Sequence, residues 1–302
     1  MRKAATIAIA LLLCTAVQAQ REFPYPVIPD SIEENYDRLS WVLENFWEDF
    51  DFADDSAENM AVGEQGMVDF ITLTGSADST QTARAAQAFA KAALTQPGDS
   101  ATSQLYNFIE LLDHYLANPK SPMRNDRIYA AMLGALASAP DSVLPIEVRG
   151  RLLDSREQAM LNMPGTRAND FTFVDRSGNE TSLRSVEAEH IVLYFHDPEC
   201  EQCISMQQRA VASSALHSSR VKVLHIYPEE NTEAWANAKG DGLPTEWVDG
   251  RVTGGSLMAR RLYWFAQMPS FYLLDSQKRV ILKDTTIEAI ENLCTKEGEM
   301  VQ

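Results

Sequence analysis

Two cysteines with a two-residue spacing, Cys200-Glu201-Gln202-Cys203, are the residues of this chain best suited to chemistry. An apolar, β-prone run (190–195) precedes them and a helical pattern follows, so the pair is predicted to lie where a buried strand passes into a helix. This placement is typical of thiol-disulfide exchange. Free N–H groups and the positive dipole end of a helix start stabilise a thiolate. We therefore predict that Cys200 attacks a disulfide and that Cys203 resolves the mixed disulfide.

Two other uses of the cysteine pair are possible. A closed zinc site needs four ligands, and the sequence has no second Cys-x-x-Cys motif and no paired histidines, so no metal is expected. A purely structural disulfide remains an alternative, although so short a loop adds little stability. If the pair is active, its own Cys200–Cys203 disulfide is the redox group, and no separate cofactor is expected. We predict that Cys294 is a buried thiol in a terminal helix.

The residues around Cys200 are expected to tune its reactivity. Asp197, Glu199 and Glu201 are negative and oppose the thiolate, which favours the disulfide and therefore a reductant over a strong oxidant. His196 compensates if it is charged, or else forms local hydrogen bonds. Gln202, between the two cysteines, is a further tuning residue.

Length and composition constrain the elements that position this motif. At about 100–200 residues per domain, 302 residues suggest two domains. The formal charge of −17, from 26 basic and 43 acidic residues, disfavours nucleic acid as a partner. Apolar residues at spacings of three and four predict an all-helical domain over 20–161. Its predicted helices cover 39–50, 57–73, 80–94, 100–117, 126–137 and 145–160.

The second half, 162–302, has a different pattern. Strands are predicted at 171–174, 190–195, 221–227, 271–274 and 280–283, and helices at 203–216, 232–238, 255–266 and 286–294. The run at 190–195 has no polar alternation, which is typical of a strand covered on both faces. The order βαβα followed by ββα predicts an α/β sandwich.

These residues resemble a known family. The similarity covers 165–302 and includes Gly165, Asp170-Phe171, Gly178, Leu183, the Cys200–Cys203 motif and Met268-Pro269-Ser270-Phe271. In this order they are similar to the exported thioredoxin-like proteins typified by TlpA and ResA. The resemblance implies a thioredoxin-like fold, a three-layer α/β/α sandwich with an added N-terminal hairpin.

The same resemblance assigns further site residues. It implies that Pro269 follows a cis peptide bond and faces the cysteine pair. It also implies that Met268 offers its backbone to an extended substrate. Thioredoxins usually have a buried acid six residues before the first cysteine, where it relays the proton of the resolving thiol. Tyr194 stands at that position, so water, its hydroxyl or another acid would have to take this role.

The N-terminal residues and the helical half indicate where in the cell the protein is expected to be located. Residues 1–19 combine a basic start, a short apolar stretch and a small-residue ending, which is typical of a signal peptide cleaved after Ala19. A lipoprotein signal at Cys14 is disfavoured because Leu13 is not small. No membrane span is expected in the mature chain. The helical half resembles a module of unknown function that precedes thioredoxin-like domains in exported bacterial proteins.

Together these features predict a thiol-disulfide oxidoreductase of the periplasm or cell envelope, which reduces protein disulfides. Its expected partners are envelope proteins with thiols or disulfides and an upstream thiol electron donor. The alternative is an envelope binding or scaffold protein whose thioredoxin-like domain holds a disulfide that does not turn over.

Overall fold

A computed structural model describes residues 21–95, 99–141, 143–238 and 242–300. The predicted signal peptide, including Cys14, lies outside these residues. Within the described part, no helix has both the length and the apolar content needed to cross a membrane.

The first half of the chain is a stack of helices around an aromatic core. Its helices are α1 Asn35–Asn45, α2 Ala57–Thr74, α3 Ser79–Thr95, α4 Asp99–Leu112, α5 Asp126–Ala137 and α6 Ile146–Met160, and a π-helical turn, Asp113–Ala117, extends α4. Trp47 lies at the centre of the core and is 2 % exposed. Its ring centroid is 5.2–5.7 Å from those of six phenylalanines, Phe23, Phe46, Phe50, Phe70, Phe89 and Phe108. This packing accounts for the recurrent apolar spacing of the first half.

The second half is built on one seven-stranded mixed sheet. Its elements in chain order are β1 Thr172–Asp175, β2 Glu180–Ser182, β3 His190–Phe195, α7 Glu201–Val211, β4 Val221–Tyr227, α8 Thr232–Ala238, β5 Val248–Val252, β6 Ser270–Asp275, β7 Val280–Thr285 and α9 Ile287–Met300. The strand order is β2-β1-β5-β4-β3-β6-β7. Strand β3 pairs in parallel with β4 and antiparallel with β6.

Both faces of β3 are covered, as the apolar run predicts. Val192 and Tyr194 pack in the cluster that includes residues of α7 and α9. Ile191, Leu193 and Phe195 point into the opposite cluster, which includes side chains of the segment 255–266. This alternation holds the end of β3 at a defined depth in the domain.

The second half differs from its predicted elements in several places. The short strand β2 is absent from the predicted strands, and helix α7 ends at Val211 rather than at residue 216. Strand β5 was not predicted, because Asp249 and Gly250 interrupt its apolar pattern. A Cβ atom at Gly250 would lie 3.0 Å from the Phe173 ring, so close packing against β1 favours glycine there. The predicted helix 255–266 is a series of turns with positive φ at Gly255 (106°) and Arg261 (53°). Its helical apolar spacing reflects burial of Leu257, Tyr263 and Phe265 without helical backbone.

Cys294 differs from its prediction as well. It lies in α9 and packs against the cluster on the α7 side of the sheet, but it is half-buried rather than buried.

The aromatic core predicts a large effect of one truncation. Trp47→Ala should lower the free energy of unfolding by about 3–5 kcal/mol, because it leaves a cavity among packed rings. Urea unfolding followed by circular dichroism measures this change. The matched control is Trp264→Ala, because Trp264 is 39 % exposed and its loss should cost about 1 kcal/mol. Equal losses in both variants would contradict a core centred on Trp47.

Candidate redox site

The site begins where β3 leaves the sheet. Asp197 organises the turn that follows, since its backbone carbonyl accepts a hydrogen bond from the Cys200 N–H at 3.2 Å. The Asp197 carboxylate also accepts one from the Glu199 N–H at 2.9 Å. The turn ends at Cys200, which has extended backbone and is the N-cap of α7. The structure therefore places Cys200 at a helix start.

The sulfur of Cys200 has two polar neighbours. It accepts a hydrogen bond from the Cys203 N–H at 3.1 Å, and it lies 3.9 Å from the backbone carbonyl oxygen of Met268. The first contact uses one of the N–H groups that a helix start leaves unpaired. The Met268-Pro269 peptide bond is cis, the isomer that the resemblance implies. A chain bound along this loop would lie beside the Cys200 sulfur.

The two thiols have different environments. Cys200 is half-buried, whereas Cys203 is 3 % exposed, and neither forms a disulfide. Burial raises the pKa of the Cys203 thiol to about 12. Cys203 therefore stays protonated at neutral pH and needs a base before it can attack. This asymmetry fits one entering and one resolving thiol.

Tyr194 does not provide that base. It is fully buried, and its hydroxyl donates a hydrogen bond to the backbone carbonyl of Cys203 at 3.0 Å. Burial raises the pKa of Tyr194 above its ordinary value, so the phenol stays neutral. The tyrosine anchors the first turn of α7 and leaves the proton of Cys203 to another group.

His196 does not supply a positive charge. It is buried, and burial, together with the neighbouring His225, lowers the pKa of His196 well below its ordinary value. The histidine is therefore neutral at neutral pH. Its ring stacks on that of His225 with centroids 3.6 Å apart and planes inclined by 12°.

The histidine pair belongs to a polar cluster that sequence reasoning missed. Nδ1 of His225 lies 2.9 Å from an Asp249 carboxylate oxygen, and Nε of Arg176 lies 2.5 Å from the other oxygen. Burial favours a neutral Asp249, but hydrogen bonds from His225 and Arg176 outweigh it and lower the pKa of the carboxyl. The only sequence signal for this cluster was a histidine within the apolar strand β4, because Asp249 lies in the unpredicted strand β5.

The ligand atoms of His196, His225 and Asp249 lie within 4.8 Å of one another, close enough to consider a metal ion. The ring geometry does not suit one. Histidine lone pairs lie in the ring planes, and these two planes are nearly parallel, so the lone pairs cannot converge on one ion at about 2.1 Å. The arrangement is that of a buried polar cluster in which Asp249 binds His225 and Arg176, while Nε2 of each histidine has no hydrogen-bond partner among the described residues.

The remaining predicted tuning residues lie at the surface. Glu199, Glu201 and Gln202 are exposed around Cys200, and Asp197 is half-buried beneath the turn. The three acids are thus on the same turn and helix start as the half-buried sulfur. Ser270 belongs to the Met268-Pro269-Ser270-Phe271 motif, but its partner Asp284 had no sequence signal that separates it from an ordinary strand residue.

The first half of the chain matches a known protein family. Residues 3–160, just over half of the chain, match the family described as "Domain of unknown function (DUF5106)". No curated protein matches the chain.

Solved structures give a similar result. The chain is similar to a thioredoxin-like protein from Bacteroides caccae, with 27% identity, 91% of this chain and 99% of that chain covered, and a TM-score of 0.76. Part of the chain is also similar to the C-terminal domain of an uncharacterized protein from Bacteroides fragilis, with 32% identity, 44% of this chain and 98% of that chain covered, and a TM-score of 0.42. The fold prediction is confirmed: the chain belongs to the DUF5106 family, and its second half is a thioredoxin-like domain.

Proposed function

We propose that this chain is an exported thiol-disulfide oxidoreductase that reduces protein disulfides in the periplasm or cell envelope. One observation carries the proposal. A half-buried cysteine sulfur at a helix start lies 3.9 Å from the carbonyl before the cis proline, with a buried second thiol one turn away. These are the parts that a dithiol exchange needs: an accessible nucleophile, a backbone site for the substrate and a resolving group.

The reaction consists of two exchanges. The Cys200 thiolate attacks one sulfur of the substrate disulfide, a bond forms between them, and the other substrate sulfur leaves as a thiolate. Cys203 then loses its proton to a base and attacks the Cys200 sulfur, which releases the second substrate thiolate. The substrate gains two electrons, and the enzyme is left with a Cys200–Cys203 disulfide. An upstream thiol donor must reduce that disulfide for the next turnover.

The direction of electron flow follows from the charges near the nucleophile. Asp197, Glu199 and Glu201 repel an anion on Cys200, while the Cys203 N–H hydrogen bond stabilises it. The buried Cys203 also favours its neutral form. The repulsion by the three acids and the burial of Cys203 both destabilise the dithiolate and favour the disulfide. We therefore infer that the protein acts as a reductant.

Replacing each cysteine separately tests the proposed roles. Cys200→Ala should abolish dithiol-dependent reduction of a model protein disulfide. Cys203→Ala should instead trap a mixed disulfide, visible as a covalent adduct on a non-reducing gel, because the resolving attack is lost. Cys294→Ala is the matched control and should keep the wild-type rate. Unchanged reduction by Cys200→Ala would favour the scaffold alternative, in which the pair does not turn over.

The pKa difference predicts selective alkylation. At pH 8 a thiol with a pKa of about 12 is only about one part in 10⁴ thiolate. Iodoacetamide should therefore modify Cys200 in the reduced native protein and leave Cys203 unmodified, and the Cys203 rate should rise as the pH approaches 12. Peptide mass spectrometry measures both rates, with urea-unfolded protein as the control. Equal rates at the two cysteines in the folded protein would refute the assigned order.

The acidic residues predict a shift in reduction potential. Glu199→Gln removes one negative charge near Cys200, so the reduced form becomes more stable and the potential should rise by about 5–20 mV. Equilibration with a glutathione or dithiothreitol buffer measures the potential. Glu147→Gln, which removes an exposed acid from α6 of the helical half, is the matched control and should give no shift. An unchanged or lower potential in Glu199→Gln would contradict the electrostatic argument.

A further inference from the structure

A buried group of charges joins the helical half to the edge of the sheet. Arg124, in the turn before α5, donates from Nη1 to the Asp284 carboxylate at 2.7 Å and to the Asp284 carbonyl at 3.2 Å. Lys283 pairs with Asp126 at 2.8 Å and donates to the Ala159 carbonyl at 2.6 Å. The side chains of Lys283 and Asp284 are only 7% and 6% exposed. The helical half therefore supplies the partners of two charges that are buried in the second half.

The group continues to the loop that faces Cys200. The second carboxylate oxygen of Asp284 accepts a hydrogen bond from the Ser270 hydroxyl at 2.7 Å. Ser270 is fully buried and directly follows Pro269. On the other side of that proline, the Met268 carbonyl lies 3.9 Å from the Cys200 sulfur. Two hydrogen bonds thus connect the Arg124 guanidinium to the residue after the cis proline.

The backbone at Asp284 is irregular. Asp284 has a φ of +46°, in the left-handed region that non-glycine residues seldom adopt. The pairing of β6 with β7 also changes register here, from Phe271 opposite Thr285 to Leu273 opposite Leu282. A regular ladder of hydrogen bonds does not hold this end of β7. Side-chain contacts with Arg124 and Ser270 supply the restraint instead.

Arg261 forms two other ion pairs between the two halves, and these do not reach the loop. Arg261 donates to Glu157 and Asp154 of α6 at 2.8 and 2.7 Å. The Arg261 side chain is 63% exposed, so water screens these pairs and they add little stability. The contacts of Arg124 differ because they are buried and end at the hydroxyl beside the cis proline.

We propose that Arg124 is a positioning residue through which the helical domain holds the Met268-Pro269-Ser270 loop in place for substrate binding. This inference rests on the proposed function, since it gives the helical domain a role at that same site. The guanidinium fixes the Asp284 carboxylate, which fixes Ser270, and the restrained loop presents the Met268 backbone at a constant distance from Cys200. Arg124 does not contact the reacting sulfur.

Substitutions at the two ends of this connection test the proposal. Arg124→Gln should raise KM for a disulfide-containing peptide about tenfold with little change in kcat, because a displaced loop loses substrate contacts. Amide exchange in 267–273 should become about tenfold faster. The reduction potential of the cysteine pair should not change. Ser270→Ala should have a similar effect while all charges remain paired, so it also serves if Arg124→Gln fails to fold.

Three further variants separate positioning from adhesion. Arg124→Lys should recover part of the wild-type KM, since a lysine can still pair with Asp284. The KM of the double variant Arg124→Gln/Ser270→Ala should be no higher than that of the more impaired single variant, because both substitutions act through Asp284. Glu157→Gln is the matched control; it removes a pair between the two halves that does not reach the loop, and should leave KM and exchange unchanged.

Several results would overturn the inference. The first is a KM and an amide-exchange rate equal to those of the wild type in both Arg124→Gln and Ser270→Ala. The second is a rise in KM and exchange in Glu157→Gln as large as in Arg124→Gln. The third is a KM in the double variant that equals the combined effects of the two single variants. A wild-type protein that reduces no disulfide would instead overturn the proposed function. Amide exchange in 267–273 would then decide alone whether Arg124 holds the loop.

Discussion

The burial of β3 on both faces is the constraint on which the redox site depends. Every side chain from His190 to Phe195 is buried, so the strand cannot shift or rotate without exposing apolar surface. Its end therefore defines where the chain leaves the sheet, where the Asp197 turn begins and where α7 starts. Tyr194 ties the strand to the helix by its hydrogen bond to the Cys203 carbonyl. The position of both sulfurs follows from this one buried strand.

The chemistry of the site comes from the contrast between its two ends. Cys200 is half-buried at the start of α7, near exposed acids and the loop carbonyl, whereas Cys203 is buried in the first turn of that helix. The thioredoxin position for a buried acid holds a neutral tyrosine, and the nearby histidines are stacked, with His225 tied to Asp249. The domain thus keeps its second thiol protonated until a substrate or solvent provides a base.

The helical half is connected to this site by buried polar contacts rather than by a flexible link. Breaking a buried ion pair leaves an uncompensated charge and is costly, so such a pair restrains geometry even when it adds little net stability. Arg124 lies in the turn before α5, where no site residue was predicted from the sequence. Its contact with Asp284 brings a domain that contains no cysteine of the pair within two hydrogen bonds of Ser270, the residue after the cis proline.

Local features of the sequence determined most of the elements and the position of the cysteine pair between a strand and a helix. The apolar run of β3, the spacing of Cys200 and Cys203 and the helical periodicity of the first half each depend on near neighbours in the chain, and each predicted its structure correctly. Strand β5 was not predicted, and residues 255–266 were wrongly predicted to be helical. In both places, packing against residues distant in the chain overrode the local sequence pattern. Only the tertiary structure brought Arg124 to Asp284, 160 residues away, and His225 to Asp249. Contacts of this kind depend on which strands become neighbours, and no short-range spacing encodes that.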